Sequence, residues 1–294
     1  MASPRAVPLA IEPTQSLQRR IPWRDLCGQT RWQVGRNVLR SLPFLLLSWW
    51  AAGLRLWWLA LPLSTLAFLC GLRQSHDAFH DTTGLPRRAN DAFLFFVSLA
   101  MSCACHAHKH AHLRHHRDPL GQEDAEGFLA RWSAPAATAA GLLLYLRVLR
   151  EGLRADRATR RWVIAEGMAI LAMAFAAVLL DLVWLRYQLL VTLAAHSVSS
   201  FFTVWTVHRG CTPESGGPVA RTERRAWMAW ISLNLFYHLE HHLFPKVPVS
   251  RLPELAARLD AKAPAAARLR VLPELRCPLR ACSRGAGRLL LPRA

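Results

Sequence analysis

The stretch SLNLFYHLEHHLFPKVP, residues 232–248, carries three histidines within five positions and closes with two prolines. Histidine is an indifferent helix former, so helix propensity alone does not explain three of them. On a helix, positions i, i+3 and i+4 lie on one face, which would bring His238, His241 and His242 together. The spacing therefore predicts a helix that presents imidazole ligands to a metal.

Two earlier segments, HDAFH and HLRHH, repeat this arrangement with His76, His80, His112, His115 and His116. Eight imidazoles exceed the three or four protein ligands that one zinc ion uses, whereas two five-coordinate or octahedral ions could use them all. Imidazole suits iron, zinc, copper and nickel alike, and a redox task favours iron. The alternative interpretation is a histidine-rich loop that buffers or ferries metal.

The composition indicates a membrane protein with sizeable polar parts. Of the 294 residues 52% are hydrophobic, and the mean hydropathy of +0.14 is high for a soluble protein. The net charge of +18 comes mostly from arginines beside apolar segments, which indicates cytoplasmic flanks and not a nucleic-acid partner. The seven cysteines follow no regular framework and the N-terminal residues do not resemble a signal peptide, so reduced cytosolic thiols are expected.

The apolar segments predict membrane spans. Residues 162–184 and 187–207 are each long enough for a bilayer core, which needs roughly 20 residues. Residues 41–72 are interrupted by two prolines, a glycine and an arginine, and the basic residues on both flanks favour a hairpin of two short spans. Residues 91–105 and 134–149 are too short to span comfortably and are predicted to be interfacial or re-entrant helices.

This topology places the histidines on one side of the membrane. If residues 91–105 do not cross, the first two clusters share a face, and the pair of spans at 162–184 and 187–207 returns the chain to that face before the third cluster. The arginine asymmetry makes that face cytoplasmic and leaves Arg55 and Arg186 in the outer turns.

HDAFH, HLRHH and NLFYHLEHHLFPKVPVSRLPEL resemble the three histidine boxes of the membrane fatty acid desaturase superfamily, which includes carotenoid ketolases and lipid hydroxylases. The resemblance implies an all-α integral membrane protein with about four transmembrane helices under a cytosolic helical cap that holds a non-haem di-iron site. It assigns the iron ligands to the eight box histidines. The implied organisation is a cytosolic N-terminal segment at 1–38, a membrane domain at 39–259 and a basic, poorly ordered cytosolic tail at 260–294.

The resemblance also implies the chemistry. With two iron ions and O2 as co-substrate, two electrons would drive removal of hydrogen from an unactivated C–H bond of a lipid acyl chain. The sequence carries no recognisable haem or flavin domain, so a separate donor such as a ferredoxin with its reductase is expected, besides the substrate and membrane lipids. The expected location is a bacterial inner membrane, with the active site and both termini cytoplasmic.

Two alternatives remain at this point. The boxes are shared with hydroxylases and ketolases that act on carotenoids or other lipids. From a different class, a histidine-rich membrane metal-binding or transport protein would place paired ligands deep within its spans. Only His196, Asp181 and Glu166 lie in or near the two clear spans, which argues against transport.

Several further residues are candidates for the site. Members of the superfamily carry one more histidine ligand between the second and third boxes, and His208 in WTVHRG is the best match. Asn234, four residues before His238, is predicted to hold a metal-bound water or orient a ligand, or to be a simple amide on the same helix face. Asp77 and Glu240 are predicted to accept an imidazole N–H. The acids of GQEDAEG, residues 121–127, sit in a predicted solvated loop, with a supporting role near the second box left open.

Six other residues are candidates for roles outside the ligand set. His196 lies deep in the last span and is a candidate substrate-channel residue. Surface or supporting roles are expected for the three histidines that precede the second box: His106, His108 and His110. Cys103 and Cys105 could join these histidines in a zinc site, although packed thiols are expected.

Overall fold

The computed structural model describes residues 14–213 and 218–262, and this part of the chain is helical without a β-strand. The all-α prediction is confirmed. The prediction of a poorly ordered C-terminal tail concerns residues that, from 263 onward, lie outside the described ranges. The α-helices are α1 (Thr14–Arg20), α2 (Arg31–Val38), α3 (Leu42–Gly53), α4 (Trp57–Phe79), α5 (Arg87–Met101), α6 (Cys105–Arg117), α7 (Ala134–Ala139), α8 (Gly141–Arg154), α9 (Arg157–Leu179), α10 (Val183–His208), α11 (Ala226–Ile231), α12 (His238–Leu243) and α13 (Leu252–Lys262). Short 3-10 helices occupy Arg24–Cys27, Gly127–Arg131 and Val249–Arg251.

Within the described ranges, two helices are long and apolar enough to cross a membrane, α9 and α10. On α9, Leu171 and Phe175 expose about two thirds of their surface, as lipid-facing side chains would. The helix starts earlier than the predicted span because Asp156 caps it, accepting from the N–H groups of Ala158 and Thr159. It ends before the turn in which Asp181 adopts φ 51°, so the sequence prediction overran this turn by a few residues.

The first apolar region forms the predicted hairpin, but its arms are unequal. Helix α3 has 12 residues and rises about 18 Å, whereas α4 has 23 residues and rises about 34 Å. Arg55 makes the turn between them at φ 59°. A chain of hydroxyls ties the hairpin to α10: Ser48 Oγ lies 2.6 Å from Ser64 Oγ, which lies 3.0 Å from the hydroxyl of Tyr187.

Helices α5 and α6 form a bent pair with an angle of 110° between them, and together they are long and apolar enough for one broken span or a re-entrant loop. The corner lies at residues 102–104, where Ser102 has φ 52°. The buried carboxylate of Glu166 on α9 accepts from the Ser98 hydroxyl at 2.5 Å and from the His106 N–H at 3.2 Å. These bonds satisfy polar groups that the broken helix would otherwise leave unpaired in an apolar setting.

The predicted helix over 134–149 is divided into α7 and α8 at Ala140. A Cβ at Gly141 would lie 1.9 Å from the carbonyl oxygen of Ser197, so only glycine allows α8 to begin this close to α10.

The N-terminal helices pack beneath the segment that carries the third histidine cluster. One core contains Leu17 of α1 with Leu243, Phe244 and Leu255. Helix α13 runs through Lys262 and thus continues beyond the boundary predicted at residue 259. The N-terminal segment and α13 therefore support α12 from below.

Candidate metal centre

Nine buried or half-buried histidines from four elements converge at one end of the helices. They come from the end of α4, from α6, from the end of α10 and from α12: His76, His80, His112, His115, His116, His208, His238, His241 and His242. Helical spacing explains the grouping within each element, and packing of the elements brings the groups together. The structure thus places every histidine that the sequence nominated as a ligand in one cluster.

The cluster divides into two sets, each with its ligand atoms within 4.8 Å of one another. The first set is His76, His80, His112 and His241, and the second set is His115, His208, His238 and His242. His116 lies between the sets, since its Nε2 is 2.8 Å from the Nε2 of His241 and its ring stacks on His242 at a centroid distance of 4.2 Å.

Hydrogen bonds at the outer edge of the rings fix their orientation. The Nδ1 of His115 lies 2.6 Å from the Asp124 carboxylate, and that of His112 lies 2.9 Å from Glu126. The Nδ1 of His208 lies 2.9 Å from the carbonyl oxygen of Val219. Carboxylates and carbonyls accept hydrogen bonds, so these Nδ1 atoms carry the proton and the Nε2 atoms offer lone pairs.

The lone pairs of the second set point at one another. The Nε2 of His208 is 3.2 Å from that of His115 and 3.0 Å from that of His238. With Nδ1 protonated on both His115 and His208, neither neutral ring can donate to the other. Two lone pairs at this separation repel unless a cation lies among them, and the second set therefore fits a metal ion.

The first set fits a metal for a related reason. Both ring nitrogens of His76 and the Nδ1 of His241 are buried without a hydrogen-bond partner among the described residues. Buried polar atoms are nearly always paired, so unpaired imidazole nitrogens beside other imidazoles fit a metal ion that they would share.

The protonation states suit metal binding. Burial, together with the neighbouring imidazoles, lowers the pKa of His238, His241 and His242 well below the usual histidine range. Burial raises the pKa of Asp124 and Glu126, but the interactions with His115 and His112 outweigh it and leave both values lowered. The site therefore combines neutral imidazoles at His238, His241 and His242 with carboxylates behind His115 and His112.

The carboxylates that hold imidazoles differ from those predicted. Asp77 accepts from the N–H of Val249 at 2.9 Å, and Glu240 accepts from the Thr222 hydroxyl and from Arg224, both at 2.6 Å. Asp77 therefore supports the backbone at Val249, and Glu240 binds the side chains of Thr222 and Arg224. Among the described residues, neither carboxylate is hydrogen-bonded to an imidazole ring.

Asp124 and Glu126, from the loop at 121–127, are the carboxylates that accept the imidazole N–H groups. The only signal in the sequence was their nearness to the second box, because the loop's shape depends on local bonds that a pattern does not reveal. Asp124 accepts the N–H groups of Leu120, Glu126 and Gly127 in addition to His115. This turn fixes the carboxylate before the imidazole reaches it.

Asn234 does not share a helix face with His238, because α12 begins only at His238. It lies in the preceding turn at φ 71°, a conformation that asparagine tolerates, and its N–H donates to the carbonyl of Ala229 at 2.8 Å.

The remaining histidines lie outside the two sets. His106 stacks on Trp162 at 4.8 Å and bonds to Glu166 at 2.6 Å, and His108 bonds to the carbonyl of Ala104. His110 is half-buried on α6. The thiols of Cys103 and Cys105 are free and lie 3.7 Å apart, without these histidines as partners in a metal set within the described chain.

An apolar cavity of about 410 Å³ adjoins the cluster. His76, His112 and His238 line one wall, and Trp227 and Ile231 of α11 line another. Both α11 residues are also about half exposed at the outer surface. The cavity can therefore bring an apolar chain from the protein surface to the two histidine sets.

The chain belongs to the fatty acid desaturase family, whose sequence profile, described as Fatty acid desaturase, matches residues 48–272. This match contains all nine clustered histidines and confirms the resemblance. No curated protein matches the chain significantly. The family and the histidine sets fit a desaturase-like membrane oxidoreductase.

Proposed function

We propose that this protein is an integral membrane enzyme that desaturates a lipid acyl chain with O2 and a histidine-ligated di-iron centre. The observation that carries the proposal is the pair of four-histidine sets, with His116 between them, beside an apolar cavity. When bound, the two iron ions supply the redox chemistry that O2 and two electrons need to remove hydrogen from an unactivated C–H bond.

The residues of the chain hold the ions, orient the imidazole rings and accommodate the substrate. Neutral imidazoles from both sets would hold the ions, and Asp124 and Glu126 orient His115 and His112 through their Nδ1 protons. The mainly apolar walls would exclude water from the reacting carbon and suit an acyl chain. His208 serves as the ninth ligand because its ring faces His115 and His238.

The proposed topology has four spans, α3, α4, α9 and α10, under a cytosolic cap that contains the histidine sets. Helices α5 and α6 then form a re-entrant pair. The basic flanks support a cytoplasmic site and cytoplasmic termini in a bacterial inner membrane. Electrons come from a separate acidic protein such as a ferredoxin with its reductase, to which a cationic surface is complementary.

A transport function is less well supported. Its expected signature is pairs of ionisable ligands deep in the spans, yet the buried Glu166 is already bonded to Ser98 and His106. These bonds tie α9 to the corner of α5 and α6 and leave no open carboxylate there.

The proposal is tested by metal analysis and lipid profiling of cells that express the chain. We expect about two irons per purified chain and new unsaturated acyl chains. His208→Ala should lower the iron content and abolish product, whereas the matched variant His110→Ala, outside the sets, should leave both unchanged. One zinc and no iron would contradict the di-iron centre, and hydroxylated or keto products would assign the chain to the other reactions of the superfamily.

A further inference from the structure

A second cavity, of about 290 Å³, lies next to the cavity beside the histidines. It is lined mainly by residues of α3, α4, α5 and α10. Four side chains line both cavities and form the partition between them: Leu69, Leu72, Met101 and Phe202. Whatever enters the second cavity from the histidine side must pass these four residues.

One face of α4 connects the two spaces. His76 and Leu72 lie one turn apart, and the same face continues through Leu69 to Thr65 in the second cavity. At 1.5 Å per residue, Thr65 lies about 10 Å beyond Leu72 along the helix. A chain whose reacting carbon faces His76 therefore has a straight route along α4 into the second cavity.

The main chain at the partition is fixed. Met101 is the last residue of α5, whose terminal carbonyls have no partner within the helix. Gln188 donates to the carbonyl of Ala100 at 2.7 Å, and His196 donates to the carbonyl of Met101 at 2.6 Å through Nε2. The Tyr145 hydroxyl bonds to the other ring nitrogen of His196 and holds the ring in place.

The side chain of Met101, in contrast, has room to move. It packs on the bare backbone of Gly71, where a Cβ would lie 2.8 Å from its Sδ and 3.1 Å from its Cγ. Methionine is unbranched and adapts its shape at low cost. Met101 packs in a buried core with Phe79 and Val97, and it also lines both cavities, so its side chain can turn toward either space.

We propose that Met101 is a movable partition that sets the length of acyl chain the enzyme accepts, with His196 as a positioning residue that fixes its backbone. The proposal rests on the acyl substrate proposed above. With Met101 seated on Gly71, the chain stops at the partition. When Met101 turns aside, the chain extends into the second cavity.

The partition predicts a break in the dependence of binding affinity on fatty acid length, that is, a length beyond which further methylenes add no affinity. Each methylene that becomes buried should raise affinity about fourfold, and a methylene that meets a closed wall should raise it no further. The chain length at which the gain stops therefore reports the position of the wall.

The test measures binding of saturated fatty acids of increasing length to the purified holoenzyme by displacement of a fluorescent fatty acid. In Met101→Ala the break should move to longer chains. Adding Ala195→Phe, which fills the second cavity, should return it to the original length. The lipid-facing variant Met168→Ala, on α9, is the matched control and should leave the break in place.

Gly71→Ala provides a second variant, which tests the partition even if the protein does not fold with Met101→Ala. The added methyl group removes the seat of Met101, so the side chain must turn aside and the break should move to longer chains, as in Met101→Ala. An unchanged break in Met101→Ala or in Gly71→Ala overturns the partition. If fatty acids of every length fail to bind any of the proteins, the acyl substrate itself is wrong, and the partition falls with it.

Discussion

Helix α6 contains six histidines, and its two halves use them differently. In the N-terminal half, His106 bonds through Nδ1 to Glu166 and stacks on Trp162, and its Nε2 lies 3.8 Å from another carboxylate, that of Asp91. In the C-terminal half, His115 also bonds through Nδ1 to a carboxylate, but its Nε2 faces other imidazoles. A carboxylate on Nδ1 does not by itself mark a ligand, because the group that Nε2 faces decides the role of the ring.

The largest effect is expected from the loss of a histidine in the C-terminal half of α6, and it distinguishes the two halves directly. His115→Ala removes a ring of the second set, and we expect loss of most bound iron and of all product formation. His110→Ala, on the same helix but outside both sets, should change neither. Iron content per folded protein, measured beside lipid product, gives the comparison. Full iron occupancy in His115→Ala would show that the C-terminal half does not bind metal.

The ligand half of α6 could be predicted from the sequence, and the other half could not. The i, i+3 and i+4 spacing of His112, His115 and His116 sets one face of a helix, so local geometry sufficed. The role of His106 depends on Glu166, which lies 60 residues away on another helix. No periodicity encodes such a pairing.

The same distinction applies to the rest of the molecule. The all-helical fold and the two apolar helices α9 and α10 followed from hydrophobic pattern and length. The unequal arms of the α3–α4 hairpin, the corner at Ser102 and the turn built around Asp124 depend on single residues in left-handed conformations or on buried side-chain bonds. Patterns locate helices well, but they do not locate the breaks that shape this site.

The second prediction tests the carboxylate behind the ligand. Asp124→Asn keeps the shape of the turn but removes the charge that holds the His115 ring, so metal affinity should fall about 10- to 100-fold. Titration of the metal-free protein with ferrous iron measures the change. Glu123→Gln, in the same loop with its side chain largely exposed, is the matched control. Equal affinity in the two variants would assign the Asp124 contact to folding alone.

The third prediction concerns acid. The pKa values of His238, His241 and His242 are lowered in the folded state, so between these values and about pH 6.5 the unfolded chain binds protons that the folded chain does not. The contribution of these histidines to the free energy of unfolding of the metal-free protein is therefore complete above about pH 6.5. The free energy of unfolding should fall as the pH is lowered below that value. Thermal unfolding across this range measures the slope, and a rise in stability on acidification would contradict it.

The smallest effect is expected in the N-terminal half of α6. Glu166→Leu leaves the His106 N–H and the Ser98 hydroxyl buried without their acceptor, and each such group costs about 1–3 kcal/mol. The free energy of unfolding should fall accordingly, while iron per folded chain stays at the level of the unmodified protein, because Glu166 contacts no ring of either set. Glu123→Leu, at an exposed position, should leave stability nearly unchanged. If Glu166→Leu lost iron but kept its stability, the two halves of α6 would act as one unit, and the division between an anchoring half and a ligand half would be wrong.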